Sequence, residues 1–547
     1  MKPSHVRSRW LTTLIVLTSL LHPASGQGFA TSSPMLFPDR SLYIAGEDIR
    51  FQSLDPSPGS LLYVELLSPD GHVRASGKYN HDKTASRGRL TLPRGINSGV
   101  YVLRAYTRDE RSLGQEGFAH ALIKVLNPSS TLVSRGSNSA TDSLLPLPIG
   151  PDPVMIRVDG PGPEFAPRDS LRVQLSGRDM EGCLTLVPAG ILPLPPHRLQ
   201  EYEPGSMDIQ YLPDGHGMLL SGSVRSTEPG KVALEEVDVH VSLLGSQGGY
   251  RVARSDSLGE FHLSLPLKQG VVELFVQARG PGEEVLELRI DQDFHPDYPA
   301  PVLPEFELDS LEREVGLRMA QNLALVAYFQ APIDSLRASP GPVSLPPFYG
   351  VPDFRLDMDE FVLLPTLDEV FRNLVPPVRI TKRRGEPGLL IESQNPGIHL
   401  FPPLVMIDGI PLFDLSLFLS APTARIRYID VLTDVFVKGE KRFGGIVNLI
   451  TRQEDMAGME LPEGGYFLDI QGLSPPDGPL PGNPDQATGM PDLRNTVAWI
   501  PDIRLTENAP VDIPLLAPDV PGTYSLLFRG RNAQGSYVET RMDVVIH

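Results

Sequence analysis

Apolar and polar positions alternate along short stretches near the start of the chain. In residues 62–66 and again in residues 101–106, apolar residues alternate loosely with polar or small ones, and residues 69–71 between them read Pro-Asp-Gly. Alternation with period two is typical of a strand that buries one face, and Pro-Asp-Gly is typical of a turn. Repeated short strands separated by turns indicate a β-sandwich, which we predict over residues 34–127.

The same pattern of short strands recurs in three later parts of the chain. Residues 150–213 alternate weakly and predict a small β domain, while residues 216–293 predict a second β-sandwich. Residues 456–547 predict a connector rich in proline and glycine, followed by a C-terminal β segment. In that last segment we expect Trp499 to be a core residue, since a large aromatic side chain within a strand usually packs inward.

One stretch has the period of a helix instead. Apolar residues recur at spacings of three and four over residues 308–329, and Asp309 with Glu312 can form a capping box at the start. We predict an amphipathic helix there, within a linker at residues 294–352. The helix either packs on a neighbouring sheet or forms a dimerising coiled coil. The pattern stops at Pro332, short of the heptads that a coiled coil needs, which favours packing.

The most informative pattern lies in residues 353–455. It indicates a buried strand, a tight turn, a return strand, an alternating strand at 425–432 and a final apolar strand after a sharp bend. A short helix is predicted before them, at 364–372. We therefore predict a small α+β domain. The residues that make its turn and bend are Asp408, Gly409, Pro411, Gly444 and Gly445.

Composition agrees with a folded, multidomain protein. The chain has 547 residues, of which 41% are hydrophobic and 21% charged, so it is globular rather than disordered and long enough for about three to five domains. Its 56 prolines and 50 glycines follow no three-residue period, which excludes collagen and indicates many short elements joined by turns. The predicted fold is mainly β: immunoglobulin- or transthyretin-like sandwiches, a small α+β domain and no β-barrel.

The N-terminus predicts export. Residues 1–26 contain three cations, an apolar run of about 12 residues and a small-residue cleavage region, which is the pattern of a signal peptide. The run is shorter than the roughly 20 residues that span a bilayer, so a membrane anchor is disfavoured, and no later segment reaches that length. Cleavage would change the net charge from −19 to −22. We expect a periplasmic or outer-membrane-associated protein, and its acidity excludes nucleic acid as a partner.

Two groups of sandwich motifs resemble known families. The segment 37–51, Phe-Pro-Asp-Arg-Ser-Leu-Tyr-Ile-Ala-Gly-Glu-Asp-Ile-Arg-Phe, with Tyr-Val-Glu-Leu-Leu at 63–67, is similar to the second domain of the macroglobulin family. The C-terminal strand around Trp499 resembles the same family. Arg-Ser-Asp-Ser-Leu-Gly-Glu-Phe-His-Leu at 254–263 resembles the carboxypeptidase regulatory-like domain. These resemblances imply structural sandwiches without catalytic residues, in a cell-envelope protein of Bacteroidota.

Residues 403–451 resemble the plug domain of TonB-dependent receptors, particularly the SusC-like group. The resemblance rests on the Asp-Gly-x-Pro hairpin at 408–411 and on the closing strand Gly-Gly-Ile-Val-Asn-Leu-Ile-Thr at 444–451. In those receptors the plug sits inside a 22-stranded barrel, which needs about 198 residues in its strands. Only 96 residues follow Thr451, so we expect the plug-like domain to act without a barrel of its own.

Candidate chemistry is sparse. Cys183 is the single cysteine, and its context is Glu-Gly-Cys-Leu rather than the Cys-Gly-Glu-Gln of the macroglobulin thioester. We expect the Cys183 side chain to be a small buried hydrophobe. Asp408 could act as an acid or base, but a turn aspartate usually hydrogen-bonds its own backbone. Asp357, Asp359 and Glu360 lack the glycine and the terminal glutamate of a calcium loop. No nucleotide, zinc-protease or serine-hydrolase motif is present, and we predict no catalytic, metal-binding or cofactor-binding residues.

Two function classes remain open. The first is a non-enzymatic envelope protein whose sandwiches and plug-like domain bind a protein, such as an outer-membrane barrel, or a glycan. The second is an envelope hydrolase, or a macroglobulin-like protease-binding factor, whose site is formed by side chains that are distant in sequence. The absence of catalytic motifs favours the first class.

Overall fold

The computed structural model describes residues 34–54, 61–81, 85–136, 143–151, 154–159, 164–199, 210–226, 236–245, 248–280, 286–296, 301–336, 347–383, 385–475, 477–478, 492–507 and 509–547. Within these ranges the chain forms 34 strands, three α-helices and five short 3-10 helices. The strands make nine open sheets with mostly antiparallel pairings. The predicted fold class, mainly β and multidomain, is confirmed. The predicted signal peptide lies outside the described residues.

The first sandwich begins the described chain. Its strands are β1 (Met35–Pro38), β2 (Leu42–Ile44), β3 (Asp48–Leu54), β4 (Leu61–Leu67), β5 (Val73–Asn80), β6 (Ala85–Thr91), β7 (Gly99–Thr107), β8 (Ala119–Leu126) and β9 (Leu144–Pro146), with a 3-10 helix at Asp109–Gly117. The sheet β1-β3-β6 packs on a larger sheet that contains β5, β4, β7 and β8 in that order. Phe51, Val64 and Leu103 lie in the shared core, because alternate positions of each strand point inward.

The next five strands belong to two different sandwiches. They are β10 (Met155–Asp159), β11 (Glu164–Phe165), β12 (Ser170–Ser176), β13 (Met180–Pro188) and β14 (His197–Leu199). Strand β14 pairs with β8 and β9 of the first sandwich. Cys183 in β13 is fully buried, and this burial raises the pKa of its thiol to about 12. The cysteine is therefore a buried core residue, as predicted.

The middle sandwich follows. Its strands are β15 (Met218–Arg225), β16 (Asp238–Leu243), β17 (Gly249–Arg254), β18 (Glu260–Leu265), β19 (Val271–Arg279) and β20 (Glu287–Ile290), in the sheets β18-β15-β20 and β17-β16-β19. Its core is continuous with side chains of the first sandwich, since Tyr63, Tyr106 and Phe118 belong to the same buried cluster as Phe261. The two sandwiches therefore share an apolar interface.

Helix α1 (Ser310–Leu336) begins two residues after the predicted start at 308 and continues past the predicted end at 329, through Pro332. The backbone N–H of Glu312 donates to the Asp309 carboxylate at 2.8 Å, and the N–H of Asp309 donates to the Glu312 carboxylate at 2.9 Å, so the capping box is formed. Val315 and Met319 pack on Leu42 of the first sandwich. In the part of the chain that the structure describes, no helix is both long and apolar enough to span a bilayer.

The elements between Phe354 and Gly458 form what we call the α+β domain. Its elements are β21 (Phe354–Asp357), α2 (Leu367–Leu374), β22 (Val378–Arg383), β23 (Glu386–Ile391), β24 (Leu404–Ile407), β25 (Ile410–Pro411), α3 (Leu415–Leu419), β26 (Ile426–Leu432), β27 (Phe436–Lys438), β28 (Lys441–Phe443) and β29 (Ile446–Thr451), with 3-10 helices at Met358–Glu360, Pro396–Leu400, Thr423–Arg425 and Met456–Gly458. The central sheet has the order β21-β26-β29-β24-β25. Strands β24 and β29 are parallel, whereas β26 and β29 are antiparallel.

The last strands complete two earlier sheets. They are β30 (Gly465–Gln471), β31 (Ala498–Leu505), β32 (Val511–Leu516), β33 (Gly522–Asn532) and β34 (Tyr537–Ile546). Strand β30 pairs with β19 of the middle sandwich. The other four combine with β10 to β13 in a C-terminal sandwich, with the sheets β10-β12-β32 and β11-β34-β33-β13-β31. This sandwich thus joins two stretches that the sequence analysis treats as separate units. Trp499 is 1% exposed and lies in the core, as predicted.

Candidate functional site

The turn after β24 has the conformation that an Asp-Gly pair favours. The φ angles of Asp408 and Gly409 are +51° and +80°, both in the left-handed region used by tight hairpin turns. Pro411 lies opposite Met406 in β25, an edge strand, where a missing N–H is tolerated. The hydroxyl of Ser242 in β16 donates to the carbonyl of Gly409 at 2.7 Å. This hydrogen bond attaches the turn to the middle sandwich.

The Asp408 carboxylate connects two strands rather than stabilising its own turn. One oxygen accepts from the Thr451 N–H at 2.7 Å, and the other accepts from the Thr451 hydroxyl at 2.7 Å and from the Met456 N–H at 2.9 Å. The expected hydrogen bond to its own backbone is replaced by these contacts. The reason is the topology: β24 and β29 are parallel neighbours, so their carboxyl ends lie side by side.

The glycine pair before β29 is required by a close backbone approach. A Cβ atom on Gly444 would lie 2.3 Å from the carbonyl oxygens of both Ile398 and Phe401, which is too short for any side chain. Gly445 has a φ of +87°, and its carbonyl accepts from the N–H of Leu404 at 2.9 Å. The pair therefore turns the chain into β29 while it packs against the 3-10 helix Pro396–Leu400.

A row of polar side chains crosses three strands of the α+β domain. Arg355, Asp430 and Asn448 lie directly opposite one another in β21, β26 and β29. Both Asp430 oxygens accept from the Arg355 guanidinium at 2.6 Å, and one also accepts from the Tyr349 hydroxyl at 2.7 Å. These hydrogen bonds raise the pKa of Arg355, and burial raises that of Tyr349 well above its ordinary value. Sequence patterns did not identify this row, although an aspartate between Ile429 and Val431 could have indicated it.

A cleft of about 1110 Å³ lies between the middle sandwich and the α+β domain. The Asp408–Gly409 turn and Asn448 form part of its wall, so two of the predicted motif residues lie at the cleft. Pro411, Gly444 and Gly445 do not line it. Besides Arg355 and a set of aliphatic residues and prolines, the lining contains an aromatic or thioether group and an acidic group: Phe348, Tyr349, Tyr428, Phe467, Met456 and Met459, with Glu273, Glu454 and Asp455.

The carboxylates of the acidic turn that could suggest calcium binding form ion pairs with arginines. The guanidinium of Arg427 pairs with both Asp357 and Asp359, and Arg452 also pairs with Asp359. Glu360 is exposed at the end of the 3-10 helix Met358–Glu360. Among the described residues, no group of three or more His, Cys, Asp and Glu side chains is arranged to hold a metal ion.

A second cavity, of about 620 Å³, lies on the opposite side of the same domain contact. Asp238 in its wall pairs with Lys441 and with Arg254. His240 contacts the Tyr250 hydroxyl at 2.7 Å, and burial lowers the pKa of His240 to about 3, so its imidazole is neutral. These polar groups of the second cavity already contact other residues of the chain. We therefore take the first and larger cleft as the candidate site.

Comparison with known proteins gives a distant structural similarity. No family model and no curated protein matches the chain. Trypsin-activated alpha-2-macroglobulin from Escherichia coli aligns with 95% of this chain and 42% of its own, at 11% identity and a TM-score of 0.23. Salmonella alpha-2-macroglobulin reacted with methylamine aligns with 94% and 40%, also at 11% identity and a TM-score of 0.23. Dimeric latent PorU from Porphyromonas gingivalis aligns with 48% of this chain and 34% of its own, at 9% identity and a TM-score of 0.16. The chain thus spans about two fifths of the macroglobulins.

Proposed function

We propose that this chain is a non-catalytic binding protein of the cell envelope that holds a protein partner. The observation that carries the proposal is the use of two aspartates: Asp408, which lines the cleft, and Asp430, which pairs with the cleft residue Arg355. Asp408 accepts three hydrogen bonds from Thr451 and Met456, and Asp430 is bound by Arg355 and Tyr349. Both carboxylates are engaged in contacts that connect strands, which supports a structural role for them rather than a catalytic one. What remains at the cleft is an aromatic and acidic surface suited to binding.

The first candidate partner is an outer-membrane receptor of the TonB-dependent, SusC-like type. The support is the resemblance of residues 403–451 to the plug of such receptors, together with the open edges of the sheet in the α+β domain. Strands β21 and β25 are the edges of that sheet. An edge strand can pair with a strand of another protein, which gives affinity through backbone hydrogen bonds.

The envelope location rests on the signal-like pattern at residues 1–26. A protein exported in this way meets receptors, glycans and secreted proteases rather than cytoplasmic partners. Its net charge of −19 also keeps it from anionic lipid surfaces and nucleic acids, and favours partners with a basic surface.

Affinity purification from the source bacterium tests the proposal. The full chain carries a C-terminal tag, cells are cross-linked, and proteins that copurify are quantified against a tagged exported control of similar charge. We expect reproducible enrichment of one or a few envelope proteins, and no turnover of protease, esterase or glycosidase substrates by the purified chain.

Two results would contradict the proposal. One is the absence of any protein enriched over the control. The other is turnover of a substrate that is lost in both Asp408→Asn and Glu454→Gln, because that would assign acid or base chemistry to the cleft.

A further inference from the structure

We infer that the cleft between the middle sandwich and the α+β domain receives an extended peptide segment of the partner, with basic side chains between apolar ones. This inference rests on the proposed function and specifies it. It assigns the binding site to one surface and the ligand to one chemical class.

The size and walls of the cleft favour a peptide over a small molecule. Its volume of about 1110 Å³ is at the upper end of the range for drug-sized pockets. Phe467 is 44% exposed, and the lining also includes the partly buried Met459 and the buried Met456. Methionine side chains are flexible and polarisable, so they adapt to apolar side chains of varied shape.

Three acidic residues line the cleft, of which Asp455 pairs with Arg425 whereas Glu273 and Glu454 have no ion pair among the described residues. Glu273 in β19 lies directly opposite Asp469 in β30, and both are exposed. Like charges in a cross-strand pair repel each other, and a bound cation relieves this repulsion. Arg355, the cation that lines the cleft, already binds Asp430. The cleft therefore selects a positively charged ligand.

A strained loop presents one of these carboxylates. Glu454, Met456 and Ala457 have φ angles of +52°, +53° and +58°, a conformation that residues other than glycine adopt rarely. The Asp408 carboxylate holds this loop by accepting from the N–H of Met456 at 2.9 Å. Strain of this kind persists where the surrounding structure enforces it, and it is concentrated at binding and catalytic sites.

A basic and apolar peptide matches all of these features at once. Its cations can pair with Glu273 and Glu454 and lie over aromatic faces such as that of Phe467, while its apolar side chains contact Met459. A glycan would use the aromatic rings and some carboxylates, but its neutral hydroxyls would leave the repulsion between Glu273 and Asp469 in place.

The test is fluorescence anisotropy with the full chain. The probe is a short fluorescein-labelled peptide in which lysine or arginine alternates with leucine or phenylalanine. One comparison peptide has glutamate in place of the cations, and another has serine in place of the apolar residues. Chitotetraose serves as an unlabelled glycan competitor. We expect the basic and apolar peptide to bind at least about tenfold more tightly than either comparison peptide, with affinity falling as salt is raised.

The matched variants locate the site. The double variant Glu273→Gln with Glu454→Gln should weaken binding by about tenfold or more, and Phe467→Ala should do the same. The controls are Glu260→Gln and Leu258→Ala, which change exposed residues of the middle sandwich away from the cleft and should leave affinity unchanged. Circular dichroism melting curves that match wild type exclude unfolding as the cause.

Several outcomes would overturn the inference: equal binding of the acidic peptide, unchanged affinity in the double variant, or displacement of the peptide by chitotetraose. These outcomes differ from a failure of the proposed function. A partner purified from cells equally well with wild type and with the double variant would overturn the cleft assignment and leave the protein-binding function standing. Purification of no partner at all would remove the proposed function itself.

Discussion

Replacing Arg104 with methionine should lower the free energy of unfolding by about 3–5 kcal/mol, because it leaves a buried carboxylate without its cation. Arg104 is fully buried, and its guanidinium lies 2.8 Å from the carboxylate of Glu65, which is 1% exposed. The Tyr106 hydroxyl donates to the same carboxylate at 2.7 Å and accepts from the N–H of His295 at 2.8 Å. The network therefore ties the first sandwich to the segment after β20, and urea unfolding followed by circular dichroism measures the loss.

Two further variants show whether the lost pair is the cause. Combining Arg104→Met with Glu65→Gln should restore part of the stability, because the glutamine is neutral yet still accepts from Tyr106. Arg157→Met removes an exposed pair with Asp159 and should leave the unfolding midpoint nearly unchanged. A double variant less stable than the Arg104 single variant would refute the explanation based on an unpaired buried charge.

Stability should fall steeply as the pH is lowered from 7 to 5. Burial lowers the pKa of His120 and His240 to about 3 and that of His295 to about 4, against an ordinary value of 6.5. Below pH 6.5 the unfolded chain binds protons that the folded chain does not bind. The folded state therefore has its full stability above pH 6.5. As the pH falls below that value, the free energy of unfolding decreases by up to about 4 kcal/mol per pH unit for three histidines.

Urea midpoints at several pH values between 7.5 and 5 measure this dependence. Burial raises the pKa of Asp214, which acts in the opposite direction, but it is one group against four, because burial also lowers the pKa of His197. His120→Asn should reduce the slope by about one third, whereas His262→Gln, at an exposed position of β18, should not change it. Stability that stays constant from pH 7 to pH 5 would show that the three imidazoles are not held neutral.

Local chemistry predicted the short-range features of the α+β domain. The Asp408–Gly409 turn follows from two residues that tolerate positive φ, and the bend before β29 follows from adjacent glycines. The capping box of α1 is likewise encoded within four residues. Each of these features depends on neighbours in the chain, and periodicity together with residue type is sufficient to locate them.

Contacts between distant segments could not be predicted in this way. Strand β30 joins β19, nearly 200 residues earlier, and the C-terminal strands complete a sandwich with β12 and β13. Two strands of similar alternation are equally suitable partners by pattern alone, so pairing depends on the packing of the whole chain. The same limit explains Asp408, whose residue type suggested a bond to its own turn, while its actual partner was set by the parallel neighbour β29.

We expect the α+β domain to be a folded part of this chain, fixed to the middle sandwich so that the cleft exists before any partner binds. Ser242 bonds to Gly409, Lys441 pairs with Asp238, and Phe275 of β19 is buried in the core of the α+β domain. These contacts give the domain a rigid support within the chain itself.

Hydrogen–deuterium exchange of the purified full chain, without partner, tests this claim most directly. The amides of Leu404–Ile407 and Ile446–Thr451 lie in adjacent central strands, and they should exchange as slowly as those of Asp238–Leu243 in the middle sandwich. Exchange of both segments within seconds, while Asp238–Leu243 stays protected, would contradict the account.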